Sequence, residues 1–260
     1  MCKGCKNIEE QMAKNLVSSL KSHVSGLFVL LLVFQPAIAF DHSFADYDSV
    51  LKRYVAEGRV DYLALRADRS HVDSFLNVCA TLSFEEYQTF QRDQQLAFMI
   101  NFYNAAALAL VCDHPEITSV NEFKTLFGDV WSIKFSELFE HTVSLGMILH
   151  DVLRPEFHDT RIHFALVTAC RSDPELLDTP YRAEVLSQQL ERQTDKFMLE
   201  RPDVNRYSDG VLHLSPLFKW YAVDFGNRKD VLRFAARYFP EVNTETRLQY
   251  SAFDWSLNAR

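Results

Sequence analysis

From Phe44 onward, apolar residues recur at helical spacing. Phe44, Tyr47, Val50, Leu51, Tyr54 and Val55 fall on one side of "FADYDSVLKRYVAEGRVDY", which predicts an amphipathic helix closed by Gly58. A second helix is predicted over about Arg69 to Thr81, and Ser83 with Glu86 has the capping-box spacing that opens a third, shorter one. The next stretch, "DQQLAFMINFYNAAALALVCD", departs from this pattern. With Asp93 as its cap, it is apolar nearly all round from Leu96 to Cys112, which predicts a helix buried on most faces. Gln94, Asn101 and Asn104 fall near one stripe of it. A buried amide without partners costs on the order of 1–3 kcal/mol. These amides are therefore expected to be hydrogen-bonded, either tying down neighbouring loops or facing a polar pocket.

Further along, "WSIKFSELFEHTVSL" predicts a strand pair, Ser144 to Leu153 a helix, and the apolar run Ile162 to Thr168 a buried strand. "TPYRAEVLSQQLERQTDKFMLE" predicts a long helix with a polar outer face, and "VNRYSDGVLHLS" a hairpin around Ser208-Asp209-Gly210. "RKDVLRFAARYFP" predicts a helix closed by Pro240, and "LQYSAFDWSLN" a final strand. Helices predominate and strands come late. The expectation is an α+β fold: one helix-rich domain with a buried central helix and a small, mainly antiparallel sheet formed late in the chain.

The N-terminus changes this picture. "KNLVSSLKSHVSGLFVLLLVFQPAIAF" places Lys14 and Lys21 before an apolar run from Gly26 to Phe34, followed by Ala37-Ile38-Ala39. That is the order of a secretory signal peptide, with translation beginning at Met1 or at Met12; the long segment before the lysines leaves an uncleaved membrane anchor as the alternative. Cleavage after Ala39 leaves residues 40–260, or 260 − 39 = 221 residues, enough to bury one sizeable core. The product is expected to be periplasmic or secreted, with no stable membrane span after signal removal. The net charge of −8 and the absence of a basic stripe argue against nucleic acid as a partner.

Export also changes how the cysteines are read. Cys2 and Cys5 form a C-x-x-C, but in the part expected to be removed. Cys79, Cys112 and Cys170 remain, so at least one thiol is free in an oxidising compartment. Cys79 and Cys112 sit in apolar helical patterns and read as small core residues, whereas Cys170 is followed by Arg171 and Ser172.

Five ordered segments, "GRVDYLAL", "QLAFMINFYNAAALALV", "VLRPEFHDTRIHFALVTA", "HLSPLFKWYAVDFG" and "FDWSLN", resemble the domain-of-unknown-function 547 family. The resemblance runs from about Phe44 to Asn258. It implies the fold and an exported bacterial setting, but no reaction, since none is assigned to the family. It matches the family's asparagine pair to Asn101 and Asn104 with Tyr103 between them, and its histidines and arginine to His150, His163 and Arg154. It also exposes departures. Met99 stands where many members have tryptophan, Leu149 where they often have glutamate, and Thr168 and Asp173 where they tend to have cysteines.

Three chemistries compete for these residues. In a cysteine-dependent hydrolase or acyl-transferase of papain-like logic, Cys170 is the nucleophile and His150 or His163 the base. Asn101 or Asn104 then orients the base, and Arg171 steadies the anion. If the apolar run is a strand, His163 and Cys170 are seven residues apart and point to opposite faces, which favours His150 as partner. A metal-assisted hydrolase would draw on His150, His158, His163 and Asp151 or Asp159, although no H-E-x-x-H spacing occurs.

The third reading is a binding or degenerate-enzyme protein of the cell envelope, holding a small molecule, peptide or glycan in a polar pocket. The missing acid and cysteines favour it, with Asn104, Tyr103, Arg154 and Arg171 as binding residues and no cofactor. In a blander account, Arg154 and Arg161 simply pair with Glu156 and Asp159 on a solvated turn. Because polar side chains on apolar elements are costly unless their positions meet, Asn101, Asn104, His150 and His163 are expected to share a cluster at the C-terminal half of the central helix, with Arg154 at its rim.

Overall fold

The computed structural model describes residues 40–123 and 130–260. The signal-peptide features and Cys2 and Cys5 lie outside the described residues. The first helix spans Ala45–Tyr54 and buries Tyr47, Val50, Leu51 and Tyr54. It stops short of Gly58, because Val55–Ala56 pairs antiparallel with Arg59–Val60. Glu57 and Gly58 form the intervening turn with φ of 50° and 72°, the handedness a two-residue hairpin loop requires. Gly58 is therefore a hairpin residue and not a helix cap. A Cβ there would stand 2.6 Å from Cβ of Glu175.

Helices Ser70–Thr81 and Phe84–Thr89 form where the pattern puts them. Ser83 accepts the amide of Glu86 at 3.1 Å. The Glu86 carboxylate turns instead to the amide of Phe40, so the capping box is half made. The central helix runs Arg92–Asp113 and is buried at every position from Leu96 to Cys112. Gln91, not Asp93, caps it, in a reciprocal exchange with Gln94. Gln94 thus belongs to the helix start rather than to an interior stripe. This helix is long and apolar enough to cross a membrane, yet its apolar window is 94% buried within the fold.

The predicted strand pair is the hairpin Ser136–Leu138 with His141–Val143. The helix after it is irregular, running Leu145–Met147, then a π-helical stretch Ile148–Leu153, then Arg154–Phe157. Pro155 explains the widening, since it has no N–H to give and its ring would crowd the carbonyl four residues back. Gly146 is needed because a Cβ there would meet the Trp131 carbonyl oxygen at 2.5 Å.

Ile162 to Thr168 is not a strand. Asp159 caps a 3-10 helix over Thr160–Phe164 by accepting the Arg161 amide at 2.9 Å. The chain beyond bonds to a side chain rather than to a neighbouring strand: Asn104 Nδ2 donates to Ala165 O at 2.9 Å, and Val167 N donates to Asn104 Oδ1 at 3.0 Å. A short buried apolar run carries no periodicity that separates these outcomes.

The late sheet has three strands, Arg206–Ser208, Val211–Leu214 and Arg247–Tyr250. The first two form the predicted hairpin, and the third joins Val211–Leu214 in parallel, so the sheet is mixed. The last strand ends at Tyr250. The segment after it is held along the loop 169–173 by Asn258 N to Ala169 O and Arg171 N to Ser256 O, both 2.8 Å. It also reaches the first hairpin, where Val60 N donates to Asn258 O and Tyr62 Oη donates to Asn258 Oδ1.

Two apolar cores result. The larger surrounds the central helix and includes Ile162. The smaller gathers Phe164, Phe197, Phe218 and Leu232 beneath the late sheet. Tyr221 packs against both. The chain crosses from one core to the other at His163, and the candidate site lies at that seam.

Candidate functional site

His163 is 3% exposed. Burial drives its pKa down to about 4, against the pull of Asp224, so the imidazole is neutral at pH 7. Its Nε2 lies 2.7 Å from Asp224 Oδ2 and its ring stacks on Tyr221 with centroids 4.0 Å apart. A neutral ring beside a carboxylate places the proton on Nε2 and leaves the lone pair on Nδ1.

Asp224 comes from the short helix Ala222–Phe225 and is gripped from its other side by Arg154. Arg154 Nε donates to Oδ2 at 2.6 Å and an Arg154 Nη donates to Oδ1 at 2.9 Å. The other Nη donates to His150 Nδ1 at 2.8 Å, and the guanidinium lies 5.6 Å from the Tyr221 ring centroid. Burial alone would raise the Asp224 pKa, but Arg154 and His163 together hold it below the ordinary carboxylate value. The His150 pKa is lowered by burial and by the neighbouring Arg154 charge. The solvated-turn account is thus right for Arg161, which forks onto Asp159, and not for Arg154.

Two clefts meet at the His163–Asp224 bond. The inner one is walled by Tyr103, Trp131, Trp220, Tyr221, Phe253 and Trp255, with His163, Thr168 and Asp173 as its polar lining. All three tryptophans of the chain line it. Trp220, Phe253 and Trp255 form one aromatic group with centroids 4.6–5.4 Å apart. The enclosed space is about 20 Å³, room for one water-sized group. The outer cleft is an open depression of about 520 Å³ lined by His150, Arg154, His158, Asp159, Thr160 and Asp224.

Asp173 is the one carboxylate among the described residues that line the inner cleft. Its Oδ2 accepts from the amides of Thr168 and Cys170 at 2.6 and 2.8 Å and from the Thr168 hydroxyl at 2.9 Å. Among the described residues, Oδ1 has only the same hydroxyl, at 3.1 Å. Ala169, at φ 66°, makes the tight turn that aims these amides inward. Arg201 braces the loop from behind by donating to the carbonyls of Asp173 and Arg171. Burial nevertheless prevails over these donors and raises the Asp173 pKa to about 6.

The predicted residues therefore divide. Tyr103 and His163 face the inner cleft, and His150 and Arg154 the outer one. Asn101 and Asn104 line neither. Asn101 exchanges two hydrogen bonds with the backbone of Tyr181, at 2.8 and 2.9 Å, as Asn104 does with Ala165 and Val167. The expected cluster of two amides and two imidazoles does not form, because each amide is used as a substitute peptide group.

Cys170 is 1% exposed, and its Sγ lies 3.3 Å from the Thr168 hydroxyl. Burial, aided by the Asp173 charge, raises its pKa far above that of a reactive thiol. No hydrogen bond joins it to His150 or His163 among the described residues, so the papain-like arrangement is not assembled. Arg171 lines neither cleft, and its charge lies near Asp254. Cys79, Cys112 and Cys170 are all free and buried. Among the described residues, no group of three or more His, Cys, Asp or Glu side chains is placed to hold a metal ion. The proposed ligands His150, His158, His163, Asp151 and Asp159 do not converge in that manner.

Sequence reasoning missed Asp224, Tyr221 and the three tryptophans. They lie in quoted segments, "FKWYAVDFG" and "FDWSLN", or beside the strand pair. An acid or tryptophan on a short element between two apolar stretches was their only signal. Asp173 stood out only as a departure from the family pattern.

Residues 87–198 match the sequence profile described as "Protein of unknown function, DUF547". The match covers the inner-cleft residues Tyr103, Trp131, His163, Thr168 and Asp173, whereas Trp220, Tyr221, Asp224, Phe253 and Trp255 lie beyond it. Neither the curated proteins nor the solved structures yield a match to this chain. Over residues 87–198, less than half of its length, the chain is similar to the DUF547 family of proteins of unknown function.

Proposed function

We propose that this is an exported ligand-binding protein, periplasmic or secreted, that holds a small ligand or the end of a larger one in the aromatic cleft over Asp173 and His163. One observation carries the reading: all three tryptophans, Tyr103, Tyr221 and Phe253 line the same cleft as Asp173, whose Oδ1 accepts from a single hydroxyl among the described residues. Aromatic walls with a few convergent polar groups suit recognition. The buried thiol of Cys170, and the lack of a convergent metal-ligand set among the described residues, remove the specific support for cysteine or metal hydrolysis. Export rests on Lys14, Lys21, the apolar run and Ala37-Ile38-Ala39.

The tryptophans supply the assay. Intrinsic fluorescence of the purified protein is titrated with panels of small amines, sugars and short peptides. Saturable change with one class is expected, with loss of affinity in Trp255→Ala. No response to any class sinks the binding role. N-terminal sequencing of protein recovered from the periplasm or medium tests export, with Phe40 as the expected first residue.

A further inference from the structure

Resting on that binding role, we infer that the inner cleft receives a primary ammonium group, such as the terminus of an alkylamine or a lysine-like side chain, against Asp173 Oδ1. Charge favours a cation over an anion: among the described residues that line the cleft, Asp173 is the one carboxylate and none is Lys or Arg. Size then separates the remaining ligands. A space of about 20 Å³ accepts one –NH3+ head. It accepts neither a sugar ring nor a quaternary ammonium, although aromatic walls would suit both.

Hydrogen-bond count agrees with size. An ammonium carries three donors and no acceptor. The lining offers Asp173 Oδ1, the hydroxyl oxygen of Thr168 and the imidazole of His163, whose proton is committed to Asp224 and whose lone pair has no donor among the described residues. The aromatic rings complete the surroundings and favour a cation over a neutral isostere. Trp220 is 44% exposed, so the rest of the ligand has a way out past it.

The test is a tryptophan-fluorescence titration at pH 7.5 and constant ionic strength. Its probes are n-butylammonium, n-butanol as the neutral isostere, tetramethylammonium as the oversized cation, and glucose. Saturable binding of n-butylammonium is expected, at least tenfold tighter than any other probe, and weakened at least tenfold by Asp173→Asn. Equal or tighter binding of n-butanol, tetramethylammonium or glucose overturns the ammonium assignment while leaving a binding cleft. Silence from all four probes overturns the ammonium assignment; silence across the wider panel of amines, sugars and peptides removes the binding role as well. The probe comparison uses the unaltered protein, so it decides the matter even if Asp173→Asn fails to fold.

Discussion

His163 and Asp224 are joined by a 2.7 Å hydrogen bond that forms the partition between the enclosed aromatic cleft and the open one beside it. The bond ties a buried imidazole from one core to a half-buried carboxylate from the other. Arg154 closes the arrangement, so the seam carries a neutral ring and a compensated ion pair.

Replacing Asp224 by Asn leaves Arg154 without its carboxylate. The pair is part-exposed, so the loss falls below that of a fully buried ion pair, at about 1–3 kcal/mol. Urea denaturation measures it. A change under about 0.5 kcal/mol would mean that the Arg154 fork is not a structural contact.

His163 predicts a pH dependence of known sign. Its pKa is 6.5 for an exposed ring and about 4 when folded, so the unfolded chain takes up the proton first. Stability is complete above pH 6.5 and falls as the pH drops toward 4, by on the order of 3 kcal/mol. His163→Gln should remove this loss, so that the variant gains stability relative to the parent as the pH falls from 6.5 toward 4. A difference between variant and parent that stays constant across that range assigns the dependence elsewhere.

Asp173 acts in the opposite sense. Its pKa rises from 3.8 to about 6 on folding, so its contribution is complete below pH 3.8 and is lost as the pH climbs through 6. Asp173→Asn keeps an acceptor for the two loop amides without a buried charge. Relative to the parent, it should gain on the order of 3 kcal/mol between pH 4 and pH 8. Thermal melts across that range are the check, and a constant difference defeats the assignment. Between pH 4 and 6 the two residues oppose each other, so the parent protein should show a shallower acid limb than either variant would suggest.

Asn104→Leu strips the partners from Ala165 O and Val167 N. Two buried backbone groups left unsatisfied should cost about 2–4 kcal/mol. Hydrogen exchange at the Val167 amide should accelerate more than at the late sheet. Equal protection in the variant would show that the amide finds another acceptor.

Cys170 should be inert in the native state. A thiol reagent at neutral pH is expected to label it only as the protein unfolds, and Cys170→Ala should leave ligand binding within about twofold. Rapid native labelling would restore the thiol to the list of reactive groups.

These residues also show what the sequence made legible. The helices at Ser70–Thr81, Phe84–Thr89 and Arg92–Asp113 and the hairpin at Asp209-Gly210 follow from periodicity, caps and turn chemistry, all local properties. The α+β class follows from them. Ile162 to Thr168 failed because its hydrogen-bond partner, Asn104, sits about sixty residues earlier, where no local rule sees it. His150, His163 and Arg154 were legible as polar residues on apolar elements. Their actual partner, Asp224, was not, since it is 61 residues from His163 and 70 from Arg154. The amides were misjudged for a related reason: a buried asparagine satisfied by backbone resembles, in sequence, one that faces a ligand.

The segment carrying Phe253 and Trp255 reaches the loop of Asp173 and the first hairpin, where one of its contacts, Tyr62 to Asn258, spans 196 residues. Contacts of such separation form late, because the chain between them must already be ordered. The pieces of the aromatic cleft should therefore be the last to dock during refolding and among the first to lift away under mild denaturant. An occupant gripped between Trp255 and Asp173 would act as a latch on that segment. Its presence should be visible as slowed amide exchange at Arg171, Leu257 and Asn258, well outside the space it fills.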